Sequence, residues 1–348
     1  MSTAGTAAAP AVAAHRPIRA RLVGVLAIYG SIAAAVILLA PLVGTTSLDL
    51  ARVFDRSIPF AENVDAQIFW IARMPRVLAG ALVGAAFATA GVIFQALLRN
   101  PLATPFTLGV SAGASLGAML VIMGGAAVTV GPLSPVPLAS LTGAGLAAAI
   151  VYGLAHGRGR GMSTAVLLLA GVTLNSFFSA LILFLQYMAD FAEVYRAARW
   201  LMGDLDVAAF GPILAVAPLV ALAFGGMALL PSSLNLLSVG PDAAAARGVD
   251  VRATQRLAFL TASLATGAAV SLSGPIGFVG IVVPHLVRML TGVDHRIVLP
   301  ASALFGAAFL VVCDLIARTV LAPVELPVGV VTAMLGGPFF LWLLVRRH

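Results

Sequence analysis

The chain has 348 residues, of which 61% are hydrophobic and 9% charged, with a net charge of +7 and a mean hydropathy of +1.08. A soluble domain carries about 25% charged residues, so the composition excludes one and points to a chain crossing the membrane many times. All 20 basic residues are arginine, and the missing lysine excludes a P-loop ATPase and a retinal or Schiff-base protein.

The first residues are alanine-rich with Pro10 and are expected to form a disordered cytoplasmic tail over 1–20, ahead of one transmembrane domain over 21–348. Arg16, Arg19 and Arg21 precede an apolar run over 22–42. That run is longer than the apolar core of a secretory signal, roughly 7–15 residues, and is expected to be the first span. Further apolar runs follow at 77–98, 106–123, 136–155, 164–188, 208–230, 255–273, 276–290, 297–322 and 328–345. The expected fold is an all-α polytopic membrane protein of about ten transmembrane helices.

With both termini in the cytoplasm, thirteen of the twenty arginines fall inside: Arg16, Arg19, Arg21, Arg99, Arg158, Arg160, Arg247, Arg252, Arg256, Arg288, Arg296, Arg346 and Arg347. The positive-inside rule favours that orientation. Outside lie most of the acids, with Arg52, Arg56, Arg73, Arg76, Arg196, Arg199 and Arg318. Cys313 is the single cysteine, so no internal disulfide forms and packing is its expected role.

The run over 276–290 is too short for an ordinary span. As a helix it covers roughly 22 Å of a bilayer core of roughly 30 Å, and Pro284 interrupts it. Short, proline-broken helices at membrane depth need protein or a water-filled cavity around them, as in transporters. An internal echo supports that class. Gly84-Ala-Ala-Phe-Ala-Thr-Ala-Gly-Val-Ile93 and Gly267-Ala-Ala-Val-Ser-Leu-Ser-Gly-Pro-Ile276 share the pattern G-A-A-x4-G-x-I. The copies are five spans apart and face opposite ways, the arrangement of an inverted repeat.

Three places carry more than span counting. Arg73-Met-Pro-Arg76 puts two arginines at the outer mouth of the second span, where helix spacing lets both project from one face. Their uses are interfacial anchoring or pairing with carboxylates of an external partner. The inside loop, about 231–256, contains a short surface helix with Pro241 at its start, Asp242 on the dipole-positive end, Arg247 in its last turn and Gly248 as its stop. It is either a docking knob or a solvated connector. Asp314 and Arg318 stand at i and i+4 near the outer end of the ninth span, ahead of Glu325, as a neutralising pair or as functional ionisable groups.

Gly109-Val-Ser-Ala-Gly113 matches G-x-S-x-G, but Ser111 lies in a helical run of small residues rather than on a strand-to-helix elbow. An intramembrane protease is therefore a remote alternative, and no catalytic residue is assigned. His285 has no second metal ligand at i+3 or i+4, so no metal site is expected and a structural or gate role is assigned to it. On the fifth span, Asn175, Gln186 and Tyr187 are the polar residues taken as candidates for a pathway.

Taken together, Arg73-x-Pro-x-Leu with Gly84-Ala-Ala, Arg99-Asn-Pro-Leu-Ala-Thr-Pro105, Leu108-Gly-Val-Ser-Ala-Gly-Ala114, Leu168-Leu-Ala-Gly-Val172, Trp200-Leu-Met-Gly203, Gly274-Pro-Ile-Gly-Phe-Val-Gly280, Pro284-His285, Asp294-His-Arg296 and Glu325-Leu-Pro-x-Gly329 resemble the permease subunits of bacterial ABC importers for iron chelates and cobalamin. The resemblance runs from the first span to Arg347. It implies a homodimer in the inner membrane with the pathway between subunits, two cytoplasmic ATPases that bind ATP and Mg, and an external solute-binding protein. No cofactor is expected on this chain. By the same resemblance, Arg73, Arg76 and Arg318 dock the binding protein. Pro241, Asp242, Ala243, Ala244, Ala245, Ala246, Arg247 and Gly248 couple to the ATPase, and Asn100, Leu102 and Thr164 form the cytoplasmic gate. The family often has a second hydroxyl beside that threonine, where this chain has Ala165, giving a more apolar gate. The substrate is a ferric siderophore, haem or cobalamin. The rival reading is a proton-coupled secondary transporter using Asp314 and Glu325.

Overall fold

Apolar runs surrounded by lipid fold as helices because hydrocarbon offers the backbone no hydrogen-bond partner. The computed structural model describes residues 18–125, 134–156, 162–207 and 209–346, and no strand occurs among them. Ten apolar helices follow one another: α1 Ile18–Leu39, α2 Met74–Leu98, α3 Val110–Gly124, α4 Pro135–Ala155, α5 Thr164–Met188, α6 Phe210–Ala228, α7 Val251–Ser273, α8 Val279–Thr291, α9 His295–Thr319 and α10 Val328–Arg346. Seven are long and apolar enough to cross a membrane, while α3, α8 and α10 count as shorter apolar helices. Each helix falls on one of the expected runs. α1 begins at Ile18, inside the stretch expected as tail, and the rest of that stretch, 1–17, lies outside the described residues. Arg16, Arg158, Arg160, Arg347 and the side chain of Arg346 lie outside the described residues.

The centre of the bundle is α2, α7 and α9, whose apolar stretches are 78%, 72% and 67% buried, against 28% for α5 and 11% for α1. Small residues make the close approach possible. A Cβ on Gly84 would overlap the carbonyl oxygen of Gly306 in α9, and one on Gly91 would overlap that of Gly280 in α8. The same close fit joins α3 to α4, at Gly113 and Gly143 and at Gly117 and Ala139. Phe94 near the end of α2 meets Phe259 near the start of α7 at 6.3 Å between ring centroids, so these two helices run antiparallel.

The inverted repeat is visible in the packing. The contact of α2 with α9 recurs five helices on as α7 with α4, that of α3 with α4 as α8 with α9, and that of α3 with α7 as α8 with α2. The equivalent helices α3 and α8 are the short ones, with 15 and 13 residues, and each follows an irregular, proline-containing segment. The segment before α8 explains its length. Gly274 lies against Trp200, while Gly280 lies against Gly91 deep in α2, so the chain covers part of the depth in non-helical form before α8 begins. That is tolerated because the backbone is enclosed by protein. Phe278 caps α8 at φ 65°, a conformation costly for a bulky residue, and its ring occupies the space left by Gly336.

Candidate functional site

One end of the bundle holds Arg73, Arg76 and Arg318, all buried, at 6%, 8% and 5% exposure. Arg76, in the first turn of α2, reaches α9, where its Nε donates to Asp314 Oδ1 at 2.9 Å and Oδ2 at 3.1 Å, and the segment before α10, where its Nη1 donates to Glu325 Oε2 at 2.6 Å. Asp314 is 1% exposed and also faces Arg318, one turn on, at 3.9 Å. The i, i+4 pair read from sequence is therefore present, but the nearer partner of Asp314 comes from α2. Arg318 donates to the carbonyl of Ala40 at 2.8 Å, and Arg73 donates to those of Pro41, at 3.0 Å, and Thr46. Both thus hold the segment that leaves α1.

Arg73 and Arg76 do not project side by side from a free helix start. A π-helical stretch, Ile68–Arg73, runs straight into α2 and turns them toward different neighbours. Arg76 reaches solvent through a cavity of about 630 Å³ that it lines with Tyr195, Arg199, Asp206 and Glu325. Tyr195 and Arg199 belong to an outer helix, Phe191–Leu201, that was not anticipated. Its signal was present, because Asp190 and Glu193 form a capping box. The two acids of the proton-coupled reading are both ion-paired to Arg76.

At the opposite end the expected long loop is two short helices, Pro231–Leu237 and Pro241–Ala246. The second is the surface helix read from sequence, with Asp242 in its first turn, Arg247 as its C-cap and Gly248 at φ 84°. The loop does not extend to 256: Asp250 caps α7 by accepting from the backbone of Ala253, which places Arg252 and Arg256 inside that helix. Asn235, missed in the sequence, fastens the first short helix to the turn between α8 and α9. Its Nδ2 donates to Asp294 Oδ1 at 2.7 Å, and its Oδ1 accepts from the backbone of His295 at 2.9 Å and lies 2.7 Å from His295 Nδ1. Hydrogen bonding from Arg296, with a smaller contribution from Asn235, holds the Asp294 carboxyl well below the usual carboxylate range against the opposing effect of burial.

The residues assigned to a gate lie toward this end. Asn100 follows the left-handed cap of α2 at Arg99, its Oδ1 accepts from the backbone of Leu102 at 2.9 Å, and Leu102 is exposed. Thr164 opens α5 next to its cap, Ser163. The structure links the two segments further along, where Gly171 of α5 receives the backbone of Thr107 and Leu108. His285 packs on the rings of Phe339 and Phe340, and no group of metal-ligating side chains occurs among the described residues. The hydroxyl of Ser111 has no hydrogen-bond partner among the described residues.

Of the pathway candidates, Asn175 and Gln186 share one cleft of about 340 Å³ between α3 and α5. Tyr187 is 86% exposed and lies outside it.

The model of a family described as the FecCD transport family matches residues 32–346. A cobalamin import system permease of Halobacterium salinarum is 42% identical, over 79% of this chain and 73% of its own. A hemin transport system permease of Yersinia pestis is 41% identical, over 79% of this chain and 82% of its own. A solved ABC transporter of metal-chelate type, in an inward-facing conformation, superposes with a TM-score of 0.81 at 29% identity, covering 93% of this chain and 99% of that one.

Proposed function

The chain belongs to the FecCD transport family as an ABC importer permease, and from that premise we propose that it carries an iron chelate, as a ferric siderophore or haem, or cobalamin, across the bacterial inner membrane. It works as a homodimer with two separate ATPase chains, which bind ATP and Mg, and with an external solute-binding protein. Both termini face the cytoplasm and the arginine end faces out. The domain is a single one over the whole membrane-spanning length.

The observation that carries this reading is the polar link from Asn235 to Asp294 and His295. A displacement of the short helices, with Pro241–Ala246 as the ATPase contact, is passed through that link to α9, whose far end holds the Arg76 cluster. Docking takes place at that cluster. Its carboxylate partners reach Arg76 through the cavity, while Arg73 and Arg318 set the rim by holding the segment after α1. Asn100, Leu102 and Thr164 gate the cytoplasmic exit.

The test is uptake by vesicles holding the chain with its ATPase and binding protein, offered ferric siderophore, haem and cobalamin. ATP-dependent uptake of one of the three is expected, and failure with all three under turnover contradicts the substrate reading. Arg76→Glu should lower the affinity for the binding protein and flatten its salt dependence. Unchanged affinity and slope would remove docking from this cluster.

A further inference from the structure

An apolar cleft of about 430 Å³ lies between α1, α6 and α9, toward the end of the bundle that holds Asn235 and Asp294. Leu26 of α1, Phe224 and Met227 of α6 and Leu299 and Leu304 of α9 line it. The contributions of α9 fall at 296, 299, 300, 303 and 304, which is one face of that helix. Arg296 to Leu304 is just over two turns, roughly 12 Å, close to the depth of one leaflet in a hydrocarbon core of roughly 30 Å. Thr89 of α2 also reaches the wall, but its hydroxyl donates to the carbonyls of Ala85 and Ala86 in its own helix, at 2.8 and 3.1 Å.

The cleft opens to the side of the bundle. α1 packs on α9 and α6 on α7, without an extensive contact between α1 and α6, and the apolar stretches of α1 and α6 are only 11% and 28% buried. Water would find no partners along this lining, and an empty cleft would forfeit the contacts of the side chains around it. Hydrocarbon therefore fills it. Positive charge stands at its mouth. Asp294 takes one edge of the Arg296 guanidinium, Nε at 3.1 Å and Nη2 at 2.8 Å, while Nη1 has no hydrogen-bond partner among the described residues. Arg19 is exposed seven positions before Leu26, on the same stripe of α1. Arg21 donates to the carbonyl of Thr291 at 3.0 Å. Neither Arg19 nor Arg21 has an acid partner among the described residues, so three arginines outweigh Asp294 here.

We propose that this cleft seats one anionic diacyl phospholipid, with an acyl chain along α9 and the phosphate at Arg296 Nη1 and Arg19. A hydrocarbon chain matches a lining that offers no free polar group, and a basic mouth at headgroup depth favours an anionic over a zwitterionic headgroup. A polypeptide helix does not fit, because one about 10 Å across and about 12 Å long needs roughly 900 Å³, twice the cleft. The seated lipid ties α1, the least buried span, to α6 and α9 beside the Asp294 turn. The inference needs only a membrane-spanning chain and goes beyond the transport reading.

The test uses the full chain, stripped of lipid in a non-ionic detergent and offered phosphatidylglycerol or phosphatidylcholine, with bound lipid read by native mass spectrometry. The parent chain should bind phosphatidylglycerol about tenfold more tightly, and Arg19→Gln with Arg296→Gln should bring the two lipids to near parity, as two cations at the headgroup are lost. Ala228→Phe and Ala303→Phe fill the cleft from opposite walls, and each should weaken phosphatidylglycerol about tenfold by displacing a few methylenes. Leu214→Phe, on α6 but outside the lining and 68% exposed, should change nothing. Equal binding of the two lipids by the parent, or a preference kept in the double arginine variant, overturns the anionic headgroup. Unchanged affinity in the filled variants, or an equal loss in Leu214→Phe, overturns the cleft. A polypeptide that co-purifies with the parent and is lost from the filled variants overturns the lipid as occupant. Melting without lipid checks each fold: if one filled variant melts below the parent, the other wall decides, and if both do, the double arginine variant does.

Discussion

The two ends of the bundle are both held by side-chain hydrogen bonds, but the arginine end is held by charges and the opposite end by an amide. Arg76 and Asp314 join α2 to α9 within the most buried part of the fold, with side-chain exposures of 10% and 1%. Asn235 joins a short, half-buried helix to a turn, and its partner Asp294 also bonds the exposed Arg296. Buried ion pairs are costly to separate, because breaking one leaves an uncompensated charge, whereas an amide link at a surface can be remade at little cost. The comparison assigns a fixed joint to one end and a movable one to the other.

The largest expected effect tests the fixed joint. Asp314→Leu leaves Arg76 and Arg318 without their buried carboxylate and should destabilise the fold by about 3–5 kcal/mol, seen as a lower melting temperature in detergent. Adding Arg76→Met should recover part of that loss. Equal melting of Asp314→Leu and the parent chain would show that the joint carries no load.

Next comes the backbone contact beneath it. Gly91→Ala pushes a methyl into the carbonyl of Gly280 and should cost about 1–3 kcal/mol. Gly225→Ala on α6 meets nothing within 4 Å and should be neutral or slightly stabilising, as alanine is the better helix former.

The span pattern was legible because lipid forces helix on any long apolar run, and the short α8 was legible from the length of its run and the charge after it, whereas Pro284, expected to interrupt it, lies inside the continuous helix. The surface helix at Pro241–Ala246 was legible because proline, aspartate and glycine mark its ends. The Arg76–Asp314 pair was not, since its members are 238 positions apart and helix spacing speaks only of neighbours. Sequence suggested Arg318 as the partner of Asp314, which is right for the turn but not for the nearest cation. Asn235 was hidden for the same reason: one amide in a polar loop has no pattern until its partner 59 positions on is placed beside it. Ser111 was visible as a serine motif, but its place opposite Asn175 depends on how α3 packs against α5.

A smaller effect is expected at the movable joint. Asn235→Leu should leave ATP hydrolysis intact and lower uptake per ATP about fivefold, as one or two hydrogen bonds near 1 kcal/mol each are lost. Uptake and hydrolysis falling together would place Asn235 in assembly rather than in coupling.

The smallest effect is in pH. The Asp294 carboxyl is held below its ordinary value of 3.8 in the folded chain, so its contribution to stability is complete above that value and is lost as pH falls through the depressed one. The melting difference between the parent chain and Asp294→Asn should be constant from about pH 5 to 8 and shrink only in stronger acid. A difference that changes near neutral pH would assign the titration to another group.

The central claim is that this chain moves its substrate only when a partner ATPase drives it. The most direct measurement compares vesicles holding the full assembly, with ATP on the ATPase side and no proton gradient, with vesicles holding this chain alone under a proton gradient. Accumulation in the first and none in the second is the predicted result. Accumulation by the chain alone, abolished by an uncoupler, would contradict it.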